Sequence, residues 1–368
     1  MALSSAFRLV SFTELPQWAG DDQSSAFAAF RRSAFHVLNK PYRTGALGVD
    51  FGAFDAAYTE ARSHPSLGKS EAKAFFERHF LPSLIVPEHR PSGFVTGFYE
   101  PEVDASPVET AEFRVPLLAR PEDLVDVDDG NRPDGMDPYL AFARQTPDGL
   151  VEYFDRPAIE KGALVGRSLE IAWVADPVDA FFVHVQGAAR LRMTDGSLRR
   201  VTYAAKSGQR FTGPGGILAH IGEIPLDKVT MQSIRAWFKA NPHRISEILW
   251  QNRSYIFFRD AAVDDPDLGP VAAAKVPLTP GRSVAVDRLL HTFGTPFFIA
   301  APKLTAFGGE PFARLMIAQD TGSAITGAAR GDLFAGSGDA AGEIAGVVRA
   351  DADFYALLPK PLFAKVAS

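Results

Sequence analysis

Two aspartates in the last third of the chain could carry acid–base chemistry. Asp320 begins the sequence Asp-Thr-Gly-Ser, and Asp332 follows twelve positions later, directly before Leu333 and Phe334. Apolar neighbours and a nearby like charge both raise the pKa of a carboxyl group, and a proton donor that works near neutral pH needs such a pKa. The pattern therefore favours Asp332 as a general acid.

The same motif is typical of aspartic proteases, which hold two aspartates about 3 Å apart, usually one from each of two similar loops. The sequence contains no second Asp-Thr-Gly or Asp-Ser-Gly, so a protease is a poor interpretation. Aspartate beside glycine most often caps a turn by accepting backbone N–H groups. We favour that role for Asp287, whereas for Asp320 the capping role and a functional role both stay open.

Other catalytic schemes find little support in the sequence. The chain contains no cysteine, which excludes thiolate nucleophiles, disulfides and cysteine-ligated metals. It also lacks Gly-x-Ser-x-Gly, His-Glu-x-x-His and Gly-x-x-x-x-Gly-Lys-Ser/Thr. The eight histidines are scattered, and His184 alternates with apolar residues, which is more typical of a core or barrel-face histidine than of a ligand. We therefore expect neither a metal nor another cofactor.

Composition indicates a folded protein with two domains. The chain has 368 residues, of which 46% are hydrophobic, and 29 of them are phenylalanine. The net charge of −6 provides no basic surface for nucleic acid. No run of eighteen apolar residues is present, so we expect no transmembrane segment. The N-terminal residues show no export signal, which leaves a cytosolic protein or a signal that was removed or lies upstream.

Hydrophobic spacing divides the chain into alternating helical and strand-rich parts. The first ninety residues show helical spacing, and from Gly93 onward runs rich in Val, Phe and Tyr predict strands, among them FFVHVQGAARLRM. A second helical stretch follows Asp227, and short predicted strands then return, among them EIAGVVRAD. Several short strands with glycine turns predict closed barrels rather than an alternating βαβ sheet.

Five motifs in one order resemble the membrane-bound lytic murein transglycosylase A family. Four of them are TGFYEPEV (96–103), FFVHVQGAARL (181–191), VTYAAKSG (201–208) and NRSYIFFR (252–259). The fifth comprises the aspartates of SVAVD, AQDTGSAITG and GDLFAG, which resemble a three-aspartate double-psi barrel domain. The resemblance covers most of the chain.

The resemblance implies a mainly β fold with flanking helices. A double-psi β-barrel catalytic domain would be built from both chain ends, residues 1–102 and 248–368. A smaller β-barrel for substrate binding, residues 103–247, would be inserted between them, with a groove between the two domains.

The implied activity is that of a peptidoglycan lytic transglycosylase. Such an enzyme cleaves the β-1,4 bond between N-acetylmuramic acid and N-acetylglucosamine and leaves a 1,6-anhydro sugar. Asp332 would be the single acid and then base, with Asp320 in support. The alternatives are a glycan hydrolase that uses the aspartate pair and a catalytically silent cell-wall-binding protein.

The resemblance also implies substrate-binding residues and a location. Thr96, Tyr99, Glu100, Gln186 and Tyr203 would contact sugars, although Tyr99 could equally be a core residue and Glu100 could simply lead out of its strand. Peptidoglycan strands are the expected partner, with cell-wall synthesis or division proteins as further candidates. The implied location is the periplasm, in association with the outer membrane, although this chain has no lipid-bearing cysteine.

Overall fold

The computed structural model describes residues 3–87 and 91–364. The chain divides into two compact units, which we call the barrel unit (Met1–Tyr99 and Asp265–Ser368) and the inserted unit (Glu100–Asp264). The barrel unit is therefore built from both ends of the chain, and the middle of the chain forms the inserted unit.

Runs of successive strands and runs of successive helices follow one another along the chain. The strands are β1 (Phe7–Leu9), β2 (Phe80–Ile85), β3 (Gly93–Glu100), β4 (Glu102–Ser106), β5 (Val115–Leu118), β6 (Leu124–Asp126), β7 (Phe142–Thr146), β8 (Gly149–Val151), β9 (Glu170–Val174), β10 (Ala188–Met193), β11 (Leu198–Lys206), β12 (Ile256–Ala261), β13 (Ser283–Val286), β14 (Pro296–Ala301), β15 (Phe312–Asp320), β16 (Arg330–Ser337) and β17 (Arg349–Pro359). The helices are α1 (Ser24–His36), α2 (Asp55–Ser63), α3 (Lys69–His79), α4 (Arg156–Ala158), α5 (Pro177–Gln186), α6 (Pro214–His220), α7 (Met231–Ala240), α8 (Ile245–Leu249), α9 (Asp339–Val347) and α10 (Pro361–Ala364).

The sheet of the barrel unit closes on itself. Its strands follow the order β1-β2-β17-β14-β15-β13-β16-β3, and β17 also pairs with β3. The long strand β17 makes this closure possible because its first residues pair with β3, its middle with β14 and its end with β2. Closure leaves no free edge among the strands from β17 to β3, which removes a site for unwanted pairing.

Aromatic side chains fill the space between the barrel and the N-terminal helices. Phe30 of α1 is fully buried and lies 4.9 Å, between ring centroids, from Tyr58 of α2 and 5.8 Å from Phe75 of α3. The ring of Phe80, at the start of β2, lies edge-on to the Phe30 ring, with 5.9 Å between the two centroids. Such ring pairs stabilise the fold beyond what simple burial contributes. Many of the phenylalanines in the sequence lie in this core.

The inserted unit has a second curled sheet. Its strands follow the order β12-β11-β10-β4-β9-β5, and an isolated bridge between Ala119 and Phe258 joins the two ends of that order. A separate small sheet contains β6, β7 and β8. Helices α5 to α8 bury a further apolar cluster that includes Phe181, Leu218 and Phe238. The prediction of a mainly β fold with flanking helices and an inserted smaller barrel is confirmed.

Two runs predicted as strands begin as helices. Residues 177–186 form α5, which Asp176 caps by accepting the N–H of Val178 and which ends at Gly187 with φ 74°. His184 is therefore a buried helical residue rather than a barrel-face one. Because α5 is apolar on most of its faces, hydrophobic periodicity could not separate helix from strand. Similarly, the residues EIAGV (343–347) lie in α9, and β17 begins only at Arg349.

The C-terminal boundary of the inserted unit lies further along the chain than the sequence predicted. The predicted boundary was between residues 247 and 248. The division lies at Asp264 and Asp265 because β12 is hydrogen-bonded to β11 along most of its length. Within the described residues, no helix has both the length and the apolar character needed to cross a membrane.

Candidate active site

Asp320 and Asp332 meet across one small residue of the barrel. Ala285 on β13 is in register with Asp332 on the antiparallel neighbour β16 and with Asp320 on the parallel neighbour β15. Residues directly opposite each other in a sheet point to the same face, and two strand spacings separate the aspartate backbones by about 9.5 Å. Both carboxylates therefore project from one face, with the Ala285 methyl group between them.

A register shift produces this alignment. Val284 pairs with Ala318, whereas the next residue, Ala285, pairs with Asp320, so Gln319 is an extra residue in β15. Gln319 is buried and held by the Ser283 hydroxyl at 2.6 Å. Without the bulge, the glutamine and not the aspartate would stand opposite Ala285, because a one-residue slip moves side chains to the other face.

Asp332 is half-buried and held through one oxygen. The hydroxyl of Thr96, on β3, donates a hydrogen bond of 2.6 Å to Asp332 Oδ1. Burial raises the pKa of Asp332 above the ordinary value of 3.8, while the Thr96 hydrogen bond and the charge of Arg330 oppose that rise. Burial, and not the like charge of Asp320, is thus the main cause of the raised pKa.

Arg330 is a member of the site that sequence reasoning missed. Its Nη2 donates to the Thr96 hydroxyl at 2.7 Å, and its Nη1 donates to the carbonyl oxygen of Gly331. Its guanidinium group lies 5.6 Å from the centroid of the Phe94 ring. The available signal was its position two residues before Asp332, which places both side chains on the same face of a strand.

Asp320 is anchored by backbone groups. The N–H of Ala273 donates to Asp320 Oδ1 at 3.2 Å. Burial raises the pKa of Asp320 to about 6; hydrogen bonds from the Thr321 and Ala273 backbone lower it, the charge of Asp332 raises it further, and Lys275 lowers it slightly. Asp320 therefore combines hydrogen bonds to backbone groups with a perturbed acidity, which is typical of functional sites.

Asp287 caps the turns around the site, as the sequence pattern indicated. Its Oδ1 accepts the N–H of Leu289 at 3.0 Å, and its Oδ2 accepts the N–H of Gly327 at 3.0 Å. In the same region, His291 Nε2 lies 2.8 Å from the carbonyl oxygen of Ala328. These bonds hold the segment that leads from Asp320 to Asp332.

Two of the predicted sugar-binding residues are buried. The Tyr99 ring is 6% exposed, and a Cβ added to Gly342 of α9 would lie 2.9 Å from it, so the ring packs against that helix. Glu100 is 1% exposed and accepts hydrogen bonds from Arg190 at 3.0 Å and from Arg200 at 2.6 Å. The structure thus gives Tyr99 a packing contact and gives Glu100 two buried ionic contacts.

Gln186 and Tyr203 come together at one end of the curled sheet of the inserted unit. Gln186 is the last residue of α5, and it is half-buried. Gly187 follows it and accepts the N–H of Tyr203 at 2.7 Å. Tyr203 leaves 43% of its surface exposed. The Gly187 bond thus brings the backbone next to Gln186 close to that of Tyr203.

The site chemistry is that of proton transfer by carboxyl groups. A protease dyad needs carboxylates about 3 Å apart, and here an intervening strand separates them. Within residues 3–87 and 91–364, no group of three or more His, Cys, Asp or Glu side chains is arranged to hold a metal ion. Asp320 and Asp332, both half-buried and both with a raised pKa, are carboxyl groups suited to donate and accept a proton.

Family models match both units of the chain. The MltA specific insert domain matches residues 94–259. The 3D domain matches residues 282–358, which include Asp287, Asp320 and Asp332.

Solved structures share the whole architecture. A membrane-bound lytic murein transglycosylase from Agrobacterium tumefaciens is 50% identical, with a TM-score of 0.92, and the match covers 98% of this chain and 99% of that one. MltA from Neisseria gonorrhoeae is 32% identical, with a TM-score of 0.78, and the match covers 96% and 92% of the two chains. The double-psi barrel architecture expected from the sequence is confirmed.

Curated relatives match over shorter segments. Membrane-bound lytic murein transglycosylase A of Escherichia coli K12 is 31% identical over 257 residues, which are 68% of this chain and 61% of the relative. The Vibrio cholerae protein of the same name is 34% identical over 197 residues, 52% of each chain. The matched part thus spans about half to three-fifths of the length of these relatives.

Proposed function

We propose that this chain, which belongs to the membrane-bound lytic murein transglycosylase A family, is a lytic transglycosylase that cleaves peptidoglycan. The observation that supports the proposal most is Asp332 itself. It is half-buried on a barrel strand, its pKa is raised by burial, and one of its oxygens is held by Thr96. Relatives named lytic murein transglycosylases supply the substrate class.

In the proposed reaction Asp332 moves one proton twice. The protonated carboxyl group donates its proton to the glycosidic oxygen as the bond from that oxygen to C1 of N-acetylmuramic acid breaks. The C6 hydroxyl oxygen of the same sugar then bonds to C1, and its proton passes to the Asp332 carboxylate. No water is consumed, and the acid form of the enzyme is restored. Because the attack is intramolecular, alignment can contribute roughly 7–11 kcal/mol.

Asp320 has a supporting part in this scheme. The charge of Asp332 raises the pKa of Asp320, so Asp320 senses the ionisation of Asp332 across Ala285. We assign to Asp320 the tuning of the local field or a hydrogen bond to sugar. Replacement of Asp320 by Asn should therefore reduce activity by less than the same change at Asp332.

In the inserted unit we assign sugar contacts to Gln186 and Tyr203. The amide can donate and accept hydrogen bonds, and an exposed tyrosine ring offers an apolar face with a polar tip. For Glu100, whose carboxylate is held by Arg190 and Arg200, we propose that it supports the backbone next to the sugar rather than contacting the glycan directly.

The test is a product analysis on purified sacculi in water enriched in ¹⁸O. The wild-type protein should release muropeptides with 1,6-anhydro ends that lack one water and carry no ¹⁸O. Asp332→Asn should abolish the release while circular dichroism stays unchanged. Near-normal turnover by Asp332→Asn, or no release by the wild-type protein together with sacculus binding, would refute the assignment.

A hydrolase that uses both aspartates is the second candidate, and one observation favours it. Inverting glycosidases hold their two carboxyl groups roughly 6.5–9.5 Å apart with a water between them. The register through Ala285 puts both side chains on one face with their backbones about 9.5 Å apart, which is compatible with such a spacing. In that case the product would have a reducing end that carries ¹⁸O, and the Asn variants of both residues would be equally inactive.

The name of the relatives also bears on location. They are called membrane-bound, and peptidoglycan lies outside the inner membrane, so we propose a periplasmic protein associated with the outer membrane. Proteins of cell-wall synthesis or division are proposed as further partners.

A further inference from the structure

We propose that Arg330 is a positioning residue that fixes which oxygen of Asp332 carries the catalytic proton, and that it acts through the hydroxyl of Thr96. The inference rests on the proposed function for its catalytic consequence. Its structural basis is the chain of two hydrogen bonds from Arg330 Nη2 to Thr96 Oγ1 and from Thr96 to Asp332 Oδ1, 2.7 and 2.6 Å long.

The direction of this chain follows from the chemistry of its members. A guanidinium group can only donate hydrogen bonds, whereas a threonine hydroxyl has one proton to donate and lone pairs to accept. Because Arg330 donates to Thr96, the hydroxyl proton of Thr96 is left to point at Asp332. Asp332 Oδ1 is then an acceptor in both protonation states of the carboxyl group.

Asp332 must therefore carry its own proton on Oδ2. Among the residues that the structure describes, no donor reaches Oδ2, and Asp332 is only half-buried. The oxygen that is open to a ligand is thus the one that holds the transferable proton. Without Arg330, the Thr96 hydroxyl could rotate, and the proton could reside on either oxygen.

The surroundings hold Arg330 in this orientation. Its Nη1 donates to the carbonyl oxygen of Gly331, its plane lies over the ring of Phe94, and Thr96 is placed on β3 by pairing with β17. A lysine would preserve the positive charge, but it is a point charge without the planar fork that contacts two acceptors at once. The Arg330→Lys variant therefore separates the effect of the positive charge from the effect of the hydrogen-bond geometry.

The test combines a titration that needs no turnover with a pH profile of activity. The Asp332 carboxyl is followed by ¹³C NMR in protein labelled on aspartate, with its signal assigned from the spectrum of Asp332→Asn. In Arg330→Gln the pKa of Asp332 should rise, and the basic limb of the kcat/KM profile should move to higher pH. The maximal rate should fall about 10- to 100-fold, because the proton is no longer aligned.

Matched variants separate the possible causes. Arg330→Lys should keep the Asp332 pKa near its wild-type position and still lose rate. Thr96→Val should lose rate and Thr96→Ser should recover it. Arg330→Gln should lower the rate much less in the Thr96→Val background than in the wild type. Arg8→Gln, which removes an exposed arginine from β1, is the charge control and should change nothing.

Two results would overturn the inference. The first is an unshifted Asp332 titration and an unchanged maximal rate in Arg330→Gln. The second is an equal loss of rate from Arg330→Gln with and without Thr96, which would mean that Arg330 contacts the substrate itself. Failure of the proposed function is recognised separately, because it appears in the products of the wild-type enzyme, whereas the NMR titration does not depend on the reaction.

Discussion

Asp320 and Asp332 lie on the two strands that flank β13, and each stands opposite Ala285. One face of the barrel thus presents two carboxyl groups with raised pKa values and a methyl group between them. This arrangement keeps the acids close enough for the charge on Asp332 to be felt by Asp320, yet too far apart to share one proton.

Asp320 should make the stability of the protein depend on pH. Its pKa rises from 3.8 to about 6 on folding, so the folded state binds this proton more tightly than the unfolded state. The contribution of Asp320 to stability should therefore be fully present below about pH 4 and be lost as the pH rises through about 6. Asp320→Asn removes this effect. The difference in free energy of unfolding, Asp320→Asn minus wild type, should be about 1–3 kcal/mol larger at pH 8 than at pH 4.

Urea unfolding followed by circular dichroism at both pH values measures this difference, because other titrating groups are common to the two proteins. An equal offset between wild type and Asp320→Asn at pH 4 and pH 8 would contradict the prediction.

Ala285 should tolerate only small side chains. Its 3% exposure and its position between the aspartates leave no room for branches. Ala285→Leu should lower kcat/KM at least about tenfold, with a loss of about 1–3 kcal/mol in stability from overpacking. Ala285→Ser should stay close to wild type in both. Turnover on sacculi and thermal unfolding, measured for each variant, check this prediction. Full activity of the Ala285→Leu variant would show that the face between the aspartates takes no part in the reaction.

Glu100 should be a residue on which the inserted unit depends for stability. Its carboxylate accepts bonds from Arg190 and Arg200 in a buried position. Glu100→Gln keeps the shape but removes the negative charge that these two buried cations share, which should cost about 3–5 kcal/mol. Glu112→Gln, at an exposed position of the same unit, is the control. If urea unfolding gave equal stabilities for the two variants, the ionic contacts of Glu100 would not contribute to the stability of the fold.

Tyr203 should affect substrate binding more than the chemical step. Because 43% of its surface is exposed, Tyr203→Ala should leave the fold intact, raise KM for glycan strands several-fold and change kcat little. Leu198→Ala, on the same strand with 45% exposure, is the matched control. Steady-state kinetics on soluble strands checks this, and an unchanged KM would place Tyr203 outside the binding surface.

Much of the site could be predicted because the motifs carry chemistry in short stretches of chain. Asp332 could be singled out from its apolar neighbours, and Asp287 as a turn cap from its type and context. Arg330 was available from period-two spacing on the strand, but nothing local indicated that Thr96, far away in sequence, would join it to Asp332. That contact depends on β3 and β16 meeting at the closure of the barrel.

Helix and strand were confused where apolar residues occur on every face. For α5 the signals for both helix ends were present in the sequence. Asp176 and Pro177 stand at its start, and Gly187 stands at its end. In α9, Gly336 and Gly338 have φ of 125° and 81° and turn the chain out of β16 into the helix. The glycines were visible in the sequence, but their conformations were not.

The sequence by itself determined the β-rich architecture with its inserted unit and singled out Asp332 as the candidate acid, because these follow from motifs, turn residues and hydrophobic patterns that act over a few residues. Only the tertiary structure decided that Ala285 separates the two acids, that Gln319 shifts the register to align them, and that Thr96 links Arg330 to Asp332. Strand pairing joins residues distant in sequence, and a single bulge changes which side chain faces the site, so neither can be read from local pattern.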